Sequence, residues 1–534
     1  MGRGRPYKKK GFPVLLIVFG LGTVVYLAMV AWSASVGPAP ASEAPASRGR
    51  DLHLDSEALP PRHDVRQKAP SGARYESSEW EVPRDLAACL VSQEELMTVP
   101  VPWPGFHALC IEAVEAGLAS VHLHHKSGET SDTSGTRIRS SDVRGARSAN
   151  PILDGLMAML RAELESAEFQ QVDNMVSTSA YDFPPNPWKL FTSFGGEVTS
   201  DADLRFLGRG AAVNLYTGGQ FIWPGVRIGH KLSVPIPVTD GSAGAHKLVT
   251  MVTLSLRPLV LKLEGFLTDE ECAYVRKYAS TRMVPSGLAE MDSTLKANTE
   301  DVRTSTQTFM ERNGSPQIRA LEERAHNLTR LPYELGENIQ VVRYEMGQKY
   351  GAHRDFFNPN DYHRQPHMLS SVEYGARNRL ATVFWYLETV EEGGETFFPR
   401  ALNEAGKEYN PWNGDHEDCY RGLAVKATRG HAVLFYSMVP DGRLDERSLH
   451  GGCRPRGTGV EKWGANQWIW NHGKRHGGKT FPRKQVRPTP RRRTAATADC
   501  TDQSENCAAW AESGECANNA AYMKANCCAS CAGL

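Results

Sequence analysis

The sequence lacks an excess of charge of either sign, because 61 lysines and arginines balance 61 aspartates and glutamates over 534 residues. A general nucleic-acid binder needs surplus positive charge to contact phosphates, so the balance argues against that class of protein. Cysteine is scarce through most of the chain, since six of the eleven cysteines lie in the last 35 residues. The composition is otherwise ordinary for a globular protein, which excludes wholesale disorder. The uneven cysteine content excludes a single uniform domain.

Charge is absent from the 21 residues 12–32, a stretch long enough to cross a bilayer of about 30 Å as a helix. Basic residues precede this stretch, and no charge follows it until Glu43. The positive-inside rule then predicts a cytosolic N-terminus and a lumenal remainder. A cleaved signal peptide is the alternative, although its apolar region usually spans only about 7 to 15 residues. We therefore predict a single-pass type II anchor in the membrane of the endoplasmic reticulum or Golgi.

Shifts in composition divide the chain into seven segments. They are a basic tail at 1–11, the transmembrane anchor at 12–32, a stalk at 33–84, an uncharacterised α+β region at 85–256, a β-rich domain at 257–472, a basic Pro/Gly linker at 473–498 and a cysteine-rich module at 499–534. The linker is typical of a solvated connection, with a docking site for acidic partners as the alternative.

The region 85–256 contains no motif with recognisable chemistry. We predict a helix near residues 106–119 and another over 152–168, followed by β structure from residue 204. Three histidines lie close together at His122, His124 and His125. A metal site is one interpretation. Exposed histidines in a polar loop are favoured, because no carboxylate or cysteine stands at ligand spacing nearby.

The next domain begins with a strand, a turn and a helix over residues 260–279. Thr268 is the predicted N-cap of this helix, and Glu271 completes a capping box. Strand-like runs separated by glycine or acidic turns then recur, as in a small antiparallel barrel or sandwich. The predicted fold class is mainly β with flanking helices (α+β).

A non-haem Fe(II) oxygenase needs two histidines and one carboxylate on one face of the metal. His353 and Asp355 form such a pair in an H-x-D pattern, and alternate residues of a strand point to the same face. The pattern occurs twice elsewhere, but only here is it flanked by strand-like runs. His450 follows another such run, so a barrel could return it to the same end.

Lys462 lies twelve residues beyond His450. A 2-oxo acid that chelates iron leaves its far carboxylate in need of a buried cation, and lysine serves that need as a point charge. A turn-capping role for His450 and an exposed strand position for Lys462 are the structural alternatives.

Five blocks in order resemble the catalytic domain of prolyl 4-hydroxylases: QVVRYEMGQKYGAHRDFF, TVFWYLETVEEGGETFFP, HAVLFYS, DERSLHGGCRP and EKWGANQWIW. The resemblance covers residues 260–471. It implies that 257–472 is a double-stranded β-helix (jelly roll) that uses Fe(II), 2-oxoglutarate and O2, with ascorbate as a helper.

The resemblance also implies roles for individual side chains. The implied iron ligands are His353, Asp355 and His450. The implied 2-oxoglutarate residues are Tyr344, Thr396 and Lys462, with the lysine pairing with the far carboxylate. The implied peptide-groove residues are Tyr350, Arg379 and Trp468. In this groove an aromatic wall suits proline, and Arg379 could bond a peptide carbonyl.

The connection before Lys462 departs from the family pattern. It is about two residues longer than usual. The extra Gly-Thr-Gly at 457–459 is expected to form a looser hairpin. If Lys462 is not the anchor for 2-oxoglutarate, Arg454 and Arg456 are the nearest alternatives.

The last 35 residues carry the six cysteines Cys500, Cys507, Cys516, Cys527, Cys528 and Cys531. A segment this short cannot be stabilised by core burial alone, so we predict a disulfide-stapled module. Zinc is the alternative, but the segment contains no histidine. Of the other five cysteines, at least one thiol is expected to be free, because eleven is odd.

The cysteine-rich module resembles the ShK toxin-like domain. The resemblance implies the pairs Cys507–Cys527 and Cys516–Cys531. Leu534 stands where the family has its last cysteine, so either Cys500 pairs with the extra Cys528 or the module is altered.

The predicted function is membrane-anchored, lumenal peptidyl-proline 4-hydroxylation of a proline-containing peptide or protein. A non-catalytic lumenal binding protein is one alternative, and a related dioxygenase acting on lysine or a small molecule is another. Asn313 and Asn327 are possible glycan acceptors, because each begins an N-x-S/T tripeptide.

Overall fold

The computed structural model describes residues 85–97, 103–115, 117–124, 136–139, 148–165, 175–237, 246–287, 303–409, 419, 421–475, 479–484, 501–504, 506–512, 515–518 and 520–531. The chain divides into two compact units at residue 62, and every described residue lies in the second. The predicted tail, anchor and stalk lie outside the described residues. Among the helices that are described, none has the length and apolarity needed to span a bilayer.

The described part of the N-terminal region contains three helices and seven strands. They are α1 (Leu86–Met97), β1 (Phe106–Glu115), β2 (Leu118–His124), β3 (Thr136–Arg139), α2 (Pro151–Leu164), β4 (Val176–Ser177), β5 (Lys189–Thr192), β6 (Glu197–Val198), α3 (Asp201–Leu207) and β7 (Ala212–Tyr216). Six of the strands form an antiparallel sheet in the order β3-β2-β1-β7-β5-β6. The predicted second helix is confirmed as α2, whose apolar side packs on this sheet.

The helix predicted near residues 106–119 is wrong, because this segment forms β1 and the start of β2. The two faces of β1 pack into two different cores. Phe106 and Ala108 belong to one core, while Leu109 and Ile111 belong to the other. A strand that is buried on both faces loses the polar alternation that distinguishes it from a helix.

The exposed-loop interpretation of the histidine cluster is also wrong where the structure describes it. His122 and His124 lie in β2, and His124 is only 4% exposed. Neither belongs to a group of side chains that could hold a metal ion within the described ranges. His125 lies outside the described residues.

In its described residues the second half of the fold comprises three α-helices and fourteen strands. They are β8 (Lys231–Pro237), β9 (His246–Leu256), β10 (Leu259–Glu264), α4 (Asp269–Ser280), β11 (Val284–Pro285), β12 (Thr306–Met310), α5 (Pro316–Thr329), β13 (Ile339–Tyr344), β14 (Tyr350–His353), α6 (Pro366–Ser371), β15 (Arg379–Tyr386), β16 (Thr396–Phe398), β17 (Leu423–Val425), β18 (Ala432–Tyr436), β19 (Leu444–Asp445), β20 (His450–Gly452) and β21 (Lys462–Trp470). The predicted β structure after residue 204 is confirmed, although α3 occupies its first residues. The capping box at Thr268 and Glu271 is confirmed by both of its hydrogen bonds.

Two antiparallel sheets face each other in this half. The larger has nine strands in the order β11-β12-β13-β21-β15-β18-β10-β9-β8, and the smaller has four in the order β14-β20-β16-β17. Apolar side chains from both sheets, including Tyr344, Phe384 and Phe398, form the core between them. This is the predicted jelly roll. The larger sheet also contains β8 and β9, so it begins before the predicted domain start at residue 257.

Helices α4 and α5 cover the outer face of the larger sheet, together with residues from the N-terminal region. Trp223 is buried there, and its indole Nε1 donates to the Leu328 carbonyl of α5 at 2.7 Å. The described part of the N-terminal region therefore shares one core with the jelly roll.

The C-terminal module contains four short helices: α7 (Cys507–Glu512), α8 (Glu515–Asn518), α9 (Ala520–Asn526) and α10 (Cys528–Cys531). The predicted disulfides Cys507–Cys527 and Cys516–Cys531 are confirmed. Cys528 is also disulfide-bonded, but Cys500 lies outside the described residues, so their pairing stays a prediction. Elsewhere Cys89 pairs with Cys110 and Cys419 with Cys453, which leaves Cys272 as the expected free thiol.

Candidate active site

A cavity of about 320 Å³ opens between the two sheets of the jelly roll. All nine side chains to which the sequence assigned a role in binding iron, 2-oxoglutarate or peptide line it: Tyr344, Tyr350, His353, Asp355, Arg379, Thr396, His450, Lys462 and Trp468. Side chains separated by more than a hundred residues in sequence thus meet in one place.

His353, Asp355 and His450 form the one group of three potential metal ligands found in the described residues, with ligand atoms within 4.8 Å of one another. The Nε2 of His353 lies 3.8 Å from one oxygen of Asp355, and the Nε2 of His450 lies 3.6 Å from the other. The two histidines are paired across β14 and β20. β14 ends at His353, so Asp355 reaches the centre from the following loop and not, as predicted, from the same strand face.

Hydrogen bonds to main-chain carbonyls orient both imidazoles. The Nδ1 of His353 donates to the Gly351 carbonyl and the Nδ1 of His450 to the Ser448 carbonyl, each at 2.9 Å. A carbonyl can only accept, so each Nδ1 carries the proton and each Nε2 presents its lone pair to the centre. Burial, reinforced by the facing His450, lowers the pKa of His353 to about 3. The imidazole of His353 is therefore neutral, as a metal ligand must be.

Asp355 is 4% exposed and accepts a hydrogen bond from the Thr382 hydroxyl at 2.7 Å. Burial alone would raise the pKa of this carboxyl, but the facing His450 and His353 outweigh burial and lower it. The result is an ionised carboxylate that faces both imidazoles. This donor set fits Fe(II) with open positions for co-substrate and oxygen.

Aromatic rings fix the planes of both histidines. Tyr350 stacks on His353 with centroids 3.6 Å apart, and Arg303 lies over the Tyr350 ring at 4.5 Å. Phe435 faces His450 at 4.5 Å. Tyr350, expected in the peptide groove, thus also packs directly against the candidate metal centre.

Lys462 is a buried cation at the far end of the cavity, 1% exposed. Burial lowers the pKa of its ammonium to about 7, against the opposing influence of Glu395. In the described residues the ammonium donates one long hydrogen bond, to the Glu395 carbonyl at 3.4 Å. A cation with so little compensation favours an anionic ligand.

Glycine leaves room for such a ligand beside the lysine. A Cβ built on Gly452 would lie 3.6 Å from the Lys462 Nζ and 3.9 Å from the Tyr344 hydroxyl. Strand pairing sets Tyr344 opposite Lys462, and Thr396 opposite Gly452. The three predicted 2-oxoglutarate residues therefore surround one open space, which fits a dicarboxylate reaching from the metal to the lysine.

Arg379 marks the other side of the cavity. Its guanidinium lies 3.8 Å over the Trp468 ring and pairs bidentately with Glu337 at 2.6 and 2.8 Å. The Arg379 guanidinium, which we expected to bond a peptide carbonyl, therefore already binds Glu337. Glu337 lines the cavity and was not predicted from the sequence. The buried Nε1 of Trp468, in contrast, has no hydrogen-bond partner in the described residues.

Two parts of the chain match models of known protein families. Residues 339–470 match the model of the 2OG-Fe(II) oxygenase superfamily, and residues 499–532 match the ShK domain-like model. A probable prolyl 4-hydroxylase 4 from Arabidopsis thaliana is 38% identical over 271 residues, which cover 51% of this chain and 81% of the relative. The chain belongs to the prolyl 4-hydroxylase family. It is therefore a 2-oxoglutarate-dependent dioxygenase that uses Fe(II), and its relatives support hydroxylation of proline.

Other proteins are also similar to part of this chain. Prolyl 4-hydroxylase 2 of Arabidopsis thaliana is 36% identical over 271 residues, again 51% of this chain and 81% of the relative. A solved structure of the viral collagen prolyl hydroxylase vCPH from Paramecium Bursaria Chlorella virus-1, in complex with 2OG, is 25% identical. It covers 40% of this chain and 96% of that chain, with a TM-score of 0.28.

Proposed function

We propose that this protein is a membrane-anchored, lumenal peptidyl-proline 4-hydroxylase. The observation that carries the proposal is the convergence, in one cavity, of a two-histidine, one-carboxylate set, a buried lysine and an aromatic wall. Each part has a separate task in this reaction.

In the proposed site His353, Asp355 and His450 hold Fe(II), and Lys462, Tyr344 and Thr396 hold 2-oxoglutarate. Together the metal and co-substrate supply the oxidation of a proline C–H bond by O2, with succinate and carbon dioxide as the other products. The protein keeps both imidazoles in the tautomer that binds metal and keeps Asp355 ionised. Tyr350 and Phe435, packed against the two imidazoles, limit the access of water to the reacting centre.

Trp468 and Arg379 form the proposed peptide side of the cavity. A proline-rich peptide is extended, and each proline contributes a carbonyl but no N–H donor. Such a peptide therefore presents carbonyls and apolar rings, and few N–H groups, to the groove. The indole face offers an apolar surface to the proline ring.

Sequence and disulfides support the lumenal location. The uncharged segment at 12–32 with its basic N-terminal flank favours an anchor that places the remainder in the lumen. The disulfides Cys89–Cys110 and Cys419–Cys453 are of the kind that persists in an oxidising compartment. Ascorbate as a helper, and glycans at Asn313 and Asn327, belong to the same proposal.

The test incubates the purified full-length protein with Fe(II), 2-oxoglutarate and ascorbate, and follows succinate with and without proline-rich and collagen-like peptides. Peptide-dependent succinate, with a gain of one oxygen atom on a proline residue, is expected. Succinate without stimulation by any proline peptide would favour the dioxygenase of lysine or a small molecule. Absence of succinate from a folded, iron-loaded protein would favour the binding-protein alternative.

A further inference from the structure

A short segment of the N-terminal region packs beside the turn that leads to His450. We call residues 175–181 the strap. Within it β4 pairs with β19, so that Val176 lies opposite Asp445 and Ser177 opposite Leu444. The next residue of the turn, Glu446, donates its backbone N–H to the Met175 carbonyl at 2.9 Å. The strap thus extends the pairing up to the residue where the turn bends toward His450.

The side chain of Glu446 joins the strap to both segments that carry the proposed metal ligands. The Ser177 hydroxyl donates to one carboxylate oxygen of Glu446. The other oxygen lies 2.5 Å from the Nε of Arg354, the residue between His353 and Asp355. The Glu446 side chain is 13% exposed and that of Arg354 is 37% exposed, so solvent reaches this ion pair only from the arginine side. Glu446 therefore connects the His353–Asp355 loop with the turn before His450.

The same turn fixes the ring of His450. The Ser448 hydroxyl donates to the Asp445 carbonyl at 2.7 Å, which closes the turn. The Ser448 carbonyl then accepts the Nδ1 proton of His450 at 2.9 Å. A shift of the turn would rotate the imidazole, and with it the Nε2 lone pair.

The other end of the strap is held independently. The Ala180 N–H donates to the Asn360 side chain at 2.9 Å, and the Ser179 hydroxyl donates to the Tyr374 carbonyl at 2.7 Å. These contacts anchor the strap to residues 358–375, which follow the Asp355 loop. The strap is therefore fixed at both ends, as a support must be.

We propose that Glu446 and Ser177 are positioning residues for the iron site, and that the region before the jelly roll supplies part of its support. The inference rests on the proposed iron site. It gives the N-terminal region, to which the sequence assigned no role, a task in the reaction. Outer residues that orient metal ligands typically change metal affinity by about 10- to 100-fold when they are replaced.

The test titrates Co(II) into the purified full-length protein and follows the visible absorption of the bound metal. Glu446→Gln keeps the size of the side chain and removes its charge, so we expect the Kd for Co(II) to rise roughly tenfold with a shifted band. Ser177→Ala should raise the Kd less. The double variant should match Glu446→Gln alone, because Ser177 acts through Glu446.

Glu388→Gln is the matched control, because Glu388 also pairs with arginines, at 29% exposure, but its partners Arg276 and Arg429 do not line the cavity, whereas Arg354 does. Its Kd should equal that of the unmodified protein. A normal Kd and band in Glu446→Gln, with only a lower Tm, would reduce Glu446 to a structural role and overturn the inference. If Glu446→Gln does not fold, a normal Kd in folded Ser177→Ala has the same force. Failure of the unmodified protein to bind Co(II) would instead remove the iron site itself.

Discussion

Replacing Lys462 with methionine should have opposite effects on the binding of 2-oxoglutarate and on the stability of the ligand-free protein. Methionine preserves most of the volume but removes the ammonium, so the far carboxylate of 2-oxoglutarate would be buried without a partner. Removal of one member of a buried ion pair costs about 3–5 kcal/mol, and the Kd for 2-oxoglutarate should therefore rise by about 10²- to 10⁴-fold. Without ligand the effect on stability should be opposite, since burial depresses the pKa of this lysine and its partners offer little compensation. The Tm of Lys462→Met should thus be unchanged or higher.

The assay is calorimetric titration of 2-oxoglutarate into the anaerobic, Fe(II)-loaded full-length protein, with Tm measured on the same preparation. Lys426→Met is the control, because Lys426 pairs with Glu391 on the surface and is 53% exposed. An unchanged Kd in Lys462→Met would refute the reasoning and direct attention to Arg454 and Arg456. A lower Tm with a normal Kd would show that the ammonium stabilises the fold and not the ligand.

Three further predictions concern the same cavity. Because burial lowers the pKa of Lys462 to about 7, its ammonium loses its proton above that pH. Binding of 2-oxoglutarate should therefore weaken as pH rises above 7 and take up a proton, seen as a buffer-dependent binding enthalpy. Between pH 7 and 10.5 Lys462 is protonated in the unfolded chain but not in the folded one. The contribution of Lys462 to the free energy of unfolding should therefore rise across that window, and denaturant titrations at several pH values would measure it. Gly452→Ala places a methyl group 3.6 Å from the Lys462 Nζ, so the KM for 2-oxoglutarate should rise while the KM for peptide does not; equal effects on both would contradict the assignment of this space. Trp468→Ala removes the indole face, so the KM for peptide should rise by about 2- to 10-fold, the worth of one aromatic contact, and an unchanged KM would exclude that surface.

The cavity residues were predictable because the motif blocks fix both the ligand types and their order along the chain. Pairing of β14 with β20 then sets His353 opposite His450, and pairing of β13 with β21 sets Tyr344 opposite Lys462. Spacing alone could not have given these pairs, since many registers satisfy it. The family resemblance supplied these pairs. Once the motif blocks are assigned to strands, the jelly roll allows few other strand registers.

Where prediction failed, the reason lies in burial that local sequence does not record. The segment 106–119 contributes to two cores, so its strand lacks the alternation that would distinguish it from the expected helix. The histidines of β2 were expected in a polar loop because no carboxylate or cysteine stands at ligand spacing nearby. The sequence neighbours of a histidine do not show which strands will cover it.

The supporting residues of the site were missed because their partners are distant in sequence. Glu337 lies 42 positions from Arg379, and Ser177 lies 269 positions from Glu446. No periodicity or motif spans such separations. Thr382 could have been predicted from the sequence, since strand alternation places it on the same face of β15 as the cavity residue Phe384.

Strand β21 explains why a small fold can hold two ligands of different character. Lys462, Asn466 and Trp468 share one face because they are separated by even numbers of residues, and all three line the cavity. Lys462 and Trp468 are six residues apart, or about 20 Å along an extended strand. Gly464 between them must be small, since a Cβ there would lie 2.4 Å from the Phe384 ring. In the proposed site the lysine therefore anchors the co-substrate at one end, and the indole faces the peptide at the other. His353 and His450 from the opposite sheet, with Asp355 from the loop after β14, line the same cavity, so a change at either end of β21 should alter one KM and leave the other.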